Sequence, residues 1–304
     1  NMVFHKDRRL PRGGVVRCHH CLAEQVLPGT CPVCGRLLNT FGQGTQRVEE
    51  ELVRKFGVGL GLVEGTTLVR VDSDTMRHAR DYFFALSRFA SGQVKVLVGT
   101  QMIAKGLDFP NVRLVGVVNA DTALSLPDFR SAERTFQLLT QVAGRAGRVG
   151  SAGRVIFQTF APEYYAIRLA AEHDYVTFAQ KELEFRARGQ RPPRTRMARV
   201  VCRDLKPERA EATPYGASAA LRGYEAHAQA VADALRGVGE KARVLVEGPM
   251  PAPISRIADH YRFAVEALAP TAADLHKALT ALRRAGALKS DSRTAVDVDP
   301  VSLL

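Results

Sequence analysis

Two stretches of this sequence carry residue types whose spacing suits phosphate chemistry. The first is Gly99-Thr100-Gln101-Met102-Ile103-Ala104-Lys105-Gly106-Leu107-Asp108-Phe109-Pro110, directly after the β-branched run Val94–Val98. A loop at the C-terminal end of a parallel strand is where α/β sheets place ligand contacts. Thr100 offers a hydroxyl and its loop offers backbone N–H groups for a phosphate, while the Asp108 carboxylate suits a ribose hydroxyl. The second is Gln141-Val142-Ala143-Gly144-Arg145-Ala146-Gly147-Arg148. It sets the guanidinium groups of Arg145 and Arg148 three residues apart, on one face if the segment is helical. Such a pair can reach nucleotide phosphates and stabilise the charge of phosphoryl transfer. Either stretch alone would more often be structural; their order and separation together are specific.

A third chemistry is metal binding. Four of the five cysteines form two pairs, Cys18-His19-His20-Cys21 and Cys31-Pro32-Val33-Cys34. Each has the form of a zinc knuckle, in which a tight turn aims two thiolates at one ion, and Gly35 gives the second turn its freedom. Two pairs can close one four-thiolate site for Zn2+, which would fold a module too small for a core of its own. His5, His19 and His20 are further candidate ligands. Cys202, beside Val200 and Val201, reads as a small buried hydrophobe. With no apolar segment at the start that resembles a secretory signal, a reducing, cytoplasmic setting is expected.

The elements that must position these residues follow from periodicity. Residues 1–40 have little, which suits a metal-held module. Thr45 is placed to cap a helix whose first turns carry Glu49, Glu50 and Glu51. Strands are expected at Leu68–Val71, Val94–Val98, Val112–Val118 and Gly153–Phe160, with helices at 75–91, 130–143 and 161–190. This alternation predicts an α/β unit with a mostly parallel sheet. After the Arg-rich break Gln190–Arg199, a helix at 215–237, strands at Val244–Val246, Tyr261–Ala267 and Ala295–Val298, and a helix at 271–285 predict a small α+β domain. The expected divisions are 1–40, 41–175, a helical and Arg-rich linker 176–199, and 200–304.

Apolar residues make up 46% of the 304, enough for a sizeable core, and no run is long enough to span a membrane. The net charge of +12 favours polyanionic partners, nucleic acid first. Between Arg186 and Arg203 stand seven arginines and no acid. A solvated linker more often mixes signs, so this stretch is a candidate phosphate contact or a bridge between domains.

The segment from Gly99 to Arg148 resembles motifs V and VI of superfamily 2 helicases. The wording Gly-Thr-Gln-Met-Ile-Ala-Lys-Gly, then Asp121, Pro127-Asp128-Phe129-Arg130, Glu133-Arg134 and Gln141 to Arg148, is similar to the PriA family of replication-restart helicases. The similarity extends to Cys18–Cys34, Gly42-Gln43-Gly44-Thr45, Arg70–Thr75, Asp174-Tyr175, Pro192-Pro193, Gly248–Pro253, Tyr261-Arg262 and Asp297–Pro300. It leaves out two apparent insertions near residues 57–66 and 205–222. The resemblance implies a RecA-like second helicase lobe, a zinc module and a DNA- and partner-binding C-terminal domain. It implies 3′ to 5′ translocation on DNA driven by ATP, recognition of forked and single-stranded DNA, and work with single-stranded DNA-binding protein and primosome proteins as a monomer. By motif, Thr100, Gln101 and Lys105 would lie near DNA. Gly106, Asp108 and Gln141 would lie near the nucleotide, and Arg145 and Arg148 would act as arginine fingers.

The sequence departs from that family in two respects. The family carries eight zinc-site cysteines binding two ions, with Cys18 and Cys21 on one and Cys31 and Cys34 on the other; only these four stand here. This implies either a piece that begins inside the zinc module or a single site closed by all four thiolates. No Gly-x-x-x-x-Gly-Lys-Ser/Thr run and no Asp-Glu-x-His box occurs in the 304 residues, so the phosphate cradle and magnesium ligand are missing. ATP and Mg2+ are therefore expected to bind only together with a first motor lobe, and the chain alone is expected not to hydrolyse ATP. The competing reading is an ATPase-silent scaffold that recognises forks and recruits restart proteins.

Overall fold

The computed structural model describes residues 2–6, 14–18, 24–26, 29–30, 35–37, 44–72, 75–76, 78–100, 103, 109, 111–147, 153–204, 219–257 and 260–303. By contact the chain forms two units. The first comprises Asn1–Asn39, Leu126–Arg130 and Gln180–Leu304; the second comprises Thr40–Ser125 and Ser131–Ala179.

The second unit is built from βαβ crossovers. In the first unit's short N-terminal part, β1 (Met2–Lys6), β2 (Gly14–Cys18) and β3 (Glu24–Val26) form an antiparallel sheet. The second unit then opens with α1 (Thr45–Leu60), followed by β4 (Leu68–Val71), α2 (Ala79–Ala90) and β5 (Val96–Gly99). β4 and β5 pair in parallel, from Leu68 against Val96 to Val71 against Gly99. Parallel strands need a crossover, and α2 supplies it. The His78 and Asp81 side chains close a capping box at its start, and Ala85 and Leu86 turn inward. β6 (Leu114–Val117) and β7 (Arg154–Phe157) repeat the pattern around α3 (Ser131–Ala143). The expected parallel sheet is thus seen, among the described residues, as two parallel pairs.

α3 buries Ala132, Thr135, Phe136, Leu139 and Ala143, one stripe at three- and four-residue spacing. Phe136 stacks on Phe178 with centroids 4.1 Å apart. The single helix expected over 161–190 is two, α4 (Tyr165–Ala171) and α5 (Tyr175–Arg188). His173 between them adopts a left-handed φ of 55° that ends the first.

The larger part of the first unit is an antiparallel sheet in the order β11-β8-β10-β9, with β8 (Arg196–Asp204), β9 (Leu245–Ile257), β10 (His260–Ala269) and β11 (Thr294–Val298). α6 (Ala219–Ala242) and α7 (Ala272–Arg284) supply the rest of its core, in which Val200, Val231, Leu235, Val265, Leu279 and Leu282 are buried. The expected α+β domain is present. Two details differ from expectation. β9 does not stop before Gly248; it runs through Pro249, Pro251 and Pro253 to Ile257, with register shifts against β10. It lies at the sheet edge, where proline is tolerated, and Pro249 and Pro253 fall at the register shifts. β8 starts at Arg196, so part of the Arg-rich stretch lies in a strand between two others.

Candidate functional site

Thr100 stands exposed immediately after β5, at the strand's C-terminal end, where sheet geometry favours ligand contact. Gly99 before it is required by close packing. A Cβ there would stand 2.5 Å from the Val71 carbonyl oxygen and 3.2 Å from the Ile103 side chain. The Thr100 carbonyl accepts the Ile103 amide at 3.2 Å, and Ile103 packs against the Val69, Val71 and Ala85 cluster. Further on, Phe109 meets Phe89 edge to face at 4.9 Å. The loop is therefore pinned at Ile103 and at Phe109. Gln101, Lys105, Gly106 and Asp108 lie outside the described residues.

The second motif straddles the end of the helix expected over 130–143. α3 ends at Ala143, with Gln141 exposed on its last turn. Arg145 follows in a turn, its amide donating to the Val142 carbonyl at 3.0 Å. Gly147 then takes a left-handed φ of 77° and donates to the Val112 carbonyl at 3.1 Å. Gly153 packs so tightly there that a Cβ would stand 2.3 Å from the Gly147 nitrogen. α3 thus ends where a helix over 130–143 is expected to end, and Arg145 stands beyond it, before the turn at Gly147. Arg145 is half-buried, and Arg148 lies outside the described residues. Thr100 leaves the β4–β5 pair and Arg145 precedes β7 of the β6–β7 pair, so the two motifs are carried by separate crossovers.

One polar cluster in this unit escaped the residue-by-residue reading. Asp72, at the end of β4, is 5% exposed. It accepts the Thr45 hydroxyl at 2.5 Å and the Thr75 amide at 3.0 Å. Arg70 Nε lies 3.5 Å from Asp72 and 3.4 Å from the buried Glu49. Burial pushes the Asp72 carboxyl up, but the hydrogen bonds from Thr45 and Thr75 and the Arg70 charge outweigh it and hold it below the usual carboxylate range. Burial, with Glu64 next, pushes Glu49 up. The expectation that Thr45 caps α1 does not hold. Gly44 is the cap residue, Thr45 is the first helical residue, and its hydroxyl is spent on Asp72. Glu49 consequently falls in the second turn, beyond the reach of the helix-end charge.

Cys18 closes β2; the backbone there is described, while Cys21, Cys31 and Cys34 lie outside the described residues. The second pair is flanked by an antiparallel bridge between Thr30 and Leu37, and Gly35 has a left-handed φ of 68°. The bridge brings the chain on either side of the second pair together, a setting compatible with thiolate ligation of Zn2+. Cys202, wholly buried on β8, has its thiol pushed up to about 11 by burial. It stands apart from that chemistry.

The Arg-rich stretch finds its counter-charges in space. Arg186 bonds Glu182 at 2.7 Å. Arg191 bridges Glu247 at 2.6 Å and Glu266 at 2.8 Å. Arg196 meets Asp299 at 2.5 Å. Arg199 is buried and donates to the Leu303 carbonyl, and Arg203 donates to the Ser292 carbonyl at 2.8 Å. Arg188 lies 3.8 Å from Glu184, so six of the seven arginines are tied to groups outside the stretch.

Comparison with known proteins gives two family matches along the chain. Residues 38–150 match the family described as helicase conserved C-terminal domain, and residues 187–301 match the primosomal protein N C-terminal domain. The replication restart protein PriA of Bacillus subtilis is 42% identical over 86% of this chain and 29% of its own length. That of a Synechocystis strain is 36% identical over 95% of this chain and 32% of its own length. That of Treponema pallidum is 34% identical over the whole chain and 42% of its own length. The chain thus spans less than half the length of these relatives. No helix among the described residues is long and apolar enough to cross a membrane. A βαβ unit carrying the Gly99–Pro110 and Gln141–Arg148 motifs, a C-terminal α+β unit, and matches of this breadth lead to one assignment: the chain belongs to the PriA family of replication restart proteins.

Proposed function

We propose that this chain supplies the second motor lobe, the zinc module and the C-terminal domain of a cytoplasmic helicase that restarts replication at branched DNA. The observation that carries the reading is the coexistence, in one chain, of the helicase C-terminal and primosomal C-terminal matches with an exposed Thr100 at the end of β5. In this reading Thr100, Gln101 and Lys105 face DNA. Gly106, Asp108 and Gln141 face the nucleotide, and Arg145 and Arg148 neutralise charge developing on the transferred phosphoryl group. ATP with Mg2+ binds only when a first lobe contributes the phosphate cradle. Cys18, Cys21, Cys31 and Cys34 hold Zn2+, which fixes the N-terminal strands. The partners are forked and single-stranded DNA, single-stranded DNA-binding protein and primosome proteins, and the working form is a monomer.

The test is ATP hydrolysis by the longest product of the natural gene, with and without forked DNA. Stimulation by the fork supports the motor. Fork binding with no hydrolysis supports instead the scaffold reading, in which Arg145 has no nucleotide to meet. The 304 residues alone are expected to bind DNA without turnover; hydrolysis by them would overturn the assignment of the missing cradle.

A further inference from the structure

Residues Leu126–Arg130 belong by contact to the first unit, although the chain before them, to Ser125, and after them, from Ser131, belongs to the second. The segment is held at three places. Asp128, 7% exposed, accepts the Leu303 amide at 3.1 Å. Its charge acts on Arg199, the buried guanidinium that donates to the Leu303 carbonyl. Phe129 packs against Met197, Leu268 and Leu303, with the Arg130 and Arg186 guanidiniums each 5.2 Å from its ring centroid. Arg130 donates to the Val301 carbonyl at 3.0 Å. The three consecutive side chains thus close on the tail at Val301–Leu303, and these two polar bonds use its main chain.

The next residue, Ser131, begins α3. That helix carries Gln141 and ends two residues before Arg145. Ser131 follows Arg130 directly, and helix formation is cooperative, so restraint on the first turn of α3 favours the turns after it. We infer that Asp128, Phe129 and Arg130 are positioning residues: their grip by the C-terminal tail fixes the start of α3, and through α3 the C-terminal domain governs how firmly Gln141 and Arg145 are held. A ligand that shifts the tail would then loosen or tighten the nucleotide motif without touching it. The consequence for ATP turnover rests on the proposed function; the grip itself does not.

Hydrogen exchange read by mass spectrometry on the 304-residue chain tests the grip without ATP or DNA. A variant ending at Pro300 removes the main-chain partners of Asp128, Arg130 and Arg199. The amides from Thr135 to Ala143 are expected to exchange about tenfold faster in it, while α4 keeps its rate. Arg130→Met removes the bond to Val301 and no buried apolar group, so it decides the matter if the shortened chain fails to fold; the same helix is expected to speed up by a smaller factor. Exchange in α3 at the wild-type rate in the folded variants, with changes confined to β8 and β10, overturns the inference and leaves the helicase reading intact. An α3 response in a protein whose full-length form neither binds forks nor turns over ATP upholds the inference and refutes the helicase reading.

Discussion

Replacing Arg191 by methionine separates two uses of the basic stretch. The guanidinium lies 2.6 Å from Glu247 on β9 and 2.8 Å from Glu266 on β10. Glu266 is 5% exposed, so removing the guanidinium strands a buried carboxylate. Breaking a buried pair in this way costs about 3–5 kcal/mol. Arg191 is itself a quarter exposed, which screens part of the attraction, and Arg199 remains close enough to Glu266 to hold some of the charge. Those two corrections bring the expected loss to about 2 kcal/mol. The double variant Arg191→Met with Glu266→Gln removes the stranded charge, and about 1 kcal/mol of loss is expected to remain. Urea unfolding followed by circular dichroism at neutral pH reads both, since the chain contains no tryptophan to report by fluorescence. A single variant within about 0.5 kcal/mol of the parent, and a double variant no better than the single, refutes the ion-pair account. In that event Arg191 is available to serve DNA, and its loss should reduce the slope of log affinity against log salt by about 0.9.

Further substitutions address the motif loop, the Asp72 cluster and the thiols. Gly99→Ala forces a methyl against the Val71 carbonyl and is expected to cost about 1–3 kcal/mol by thermal unfolding, with Thr100 displaced. Asp72→Asn weakens bonds from Thr45 and Thr75 and is expected to cost about 1–2 kcal/mol at neutral pH. The sign of its pH dependence follows from a carboxyl held below its usual range. The ionised Asp72 contributes fully above its unfolded pKa, and the parent's advantage should shrink as the pH falls below that value; an advantage that grows in acid refutes the cluster's electrostatics. Cys202 has the opposite sign. Its thiol is raised, so the unfolded state loses that proton first, and the parent should lose stability relative to Cys202→Ala as the pH rises from about 9 to 11. Chelation of Zn2+ should expose four reactive thiols and leave Cys202 silent until the protein unfolds, as a colorimetric thiol titration would count.

Much of this architecture is legible from periodicity, and the failures share a cause. Leu68–Val71, Val96–Gly99 and Arg154–Phe157 declare themselves as strands because β-branched and apolar residues cluster between turn signals. The order of the two motifs is legible because each sits where a crossover begins or ends. What escapes is settled by partners distant in sequence. Thr45 looks like a cap until Asp72, 27 residues on, takes its hydroxyl. The arginines from 186 to 203 look unpaired because Glu247, Glu266 and Asp299 are remote in the chain. The end of α3 is legible for a local reason: Gly144 and Gly147 weaken a helix, and the Gly147 amide donates to the Val112 carbonyl instead of continuing one.

The edge strand β9 bears on how this domain can assemble. A bare sheet edge is a template on which a second molecule can lay its own backbone, the step that begins edge-to-edge aggregation. Pro249, Pro251 and Pro253 leave β9 three N–H groups short, and Pro249 and Pro253 fall at its register shifts, which break the regular edge a visitor would need. Growth of the sheet on that side is discouraged by the chain's own composition. Any protein that binds this domain by adding a strand would have to use the opposite margin, β11, and the proline-free run Thr294–Val298 there is the place to look for it.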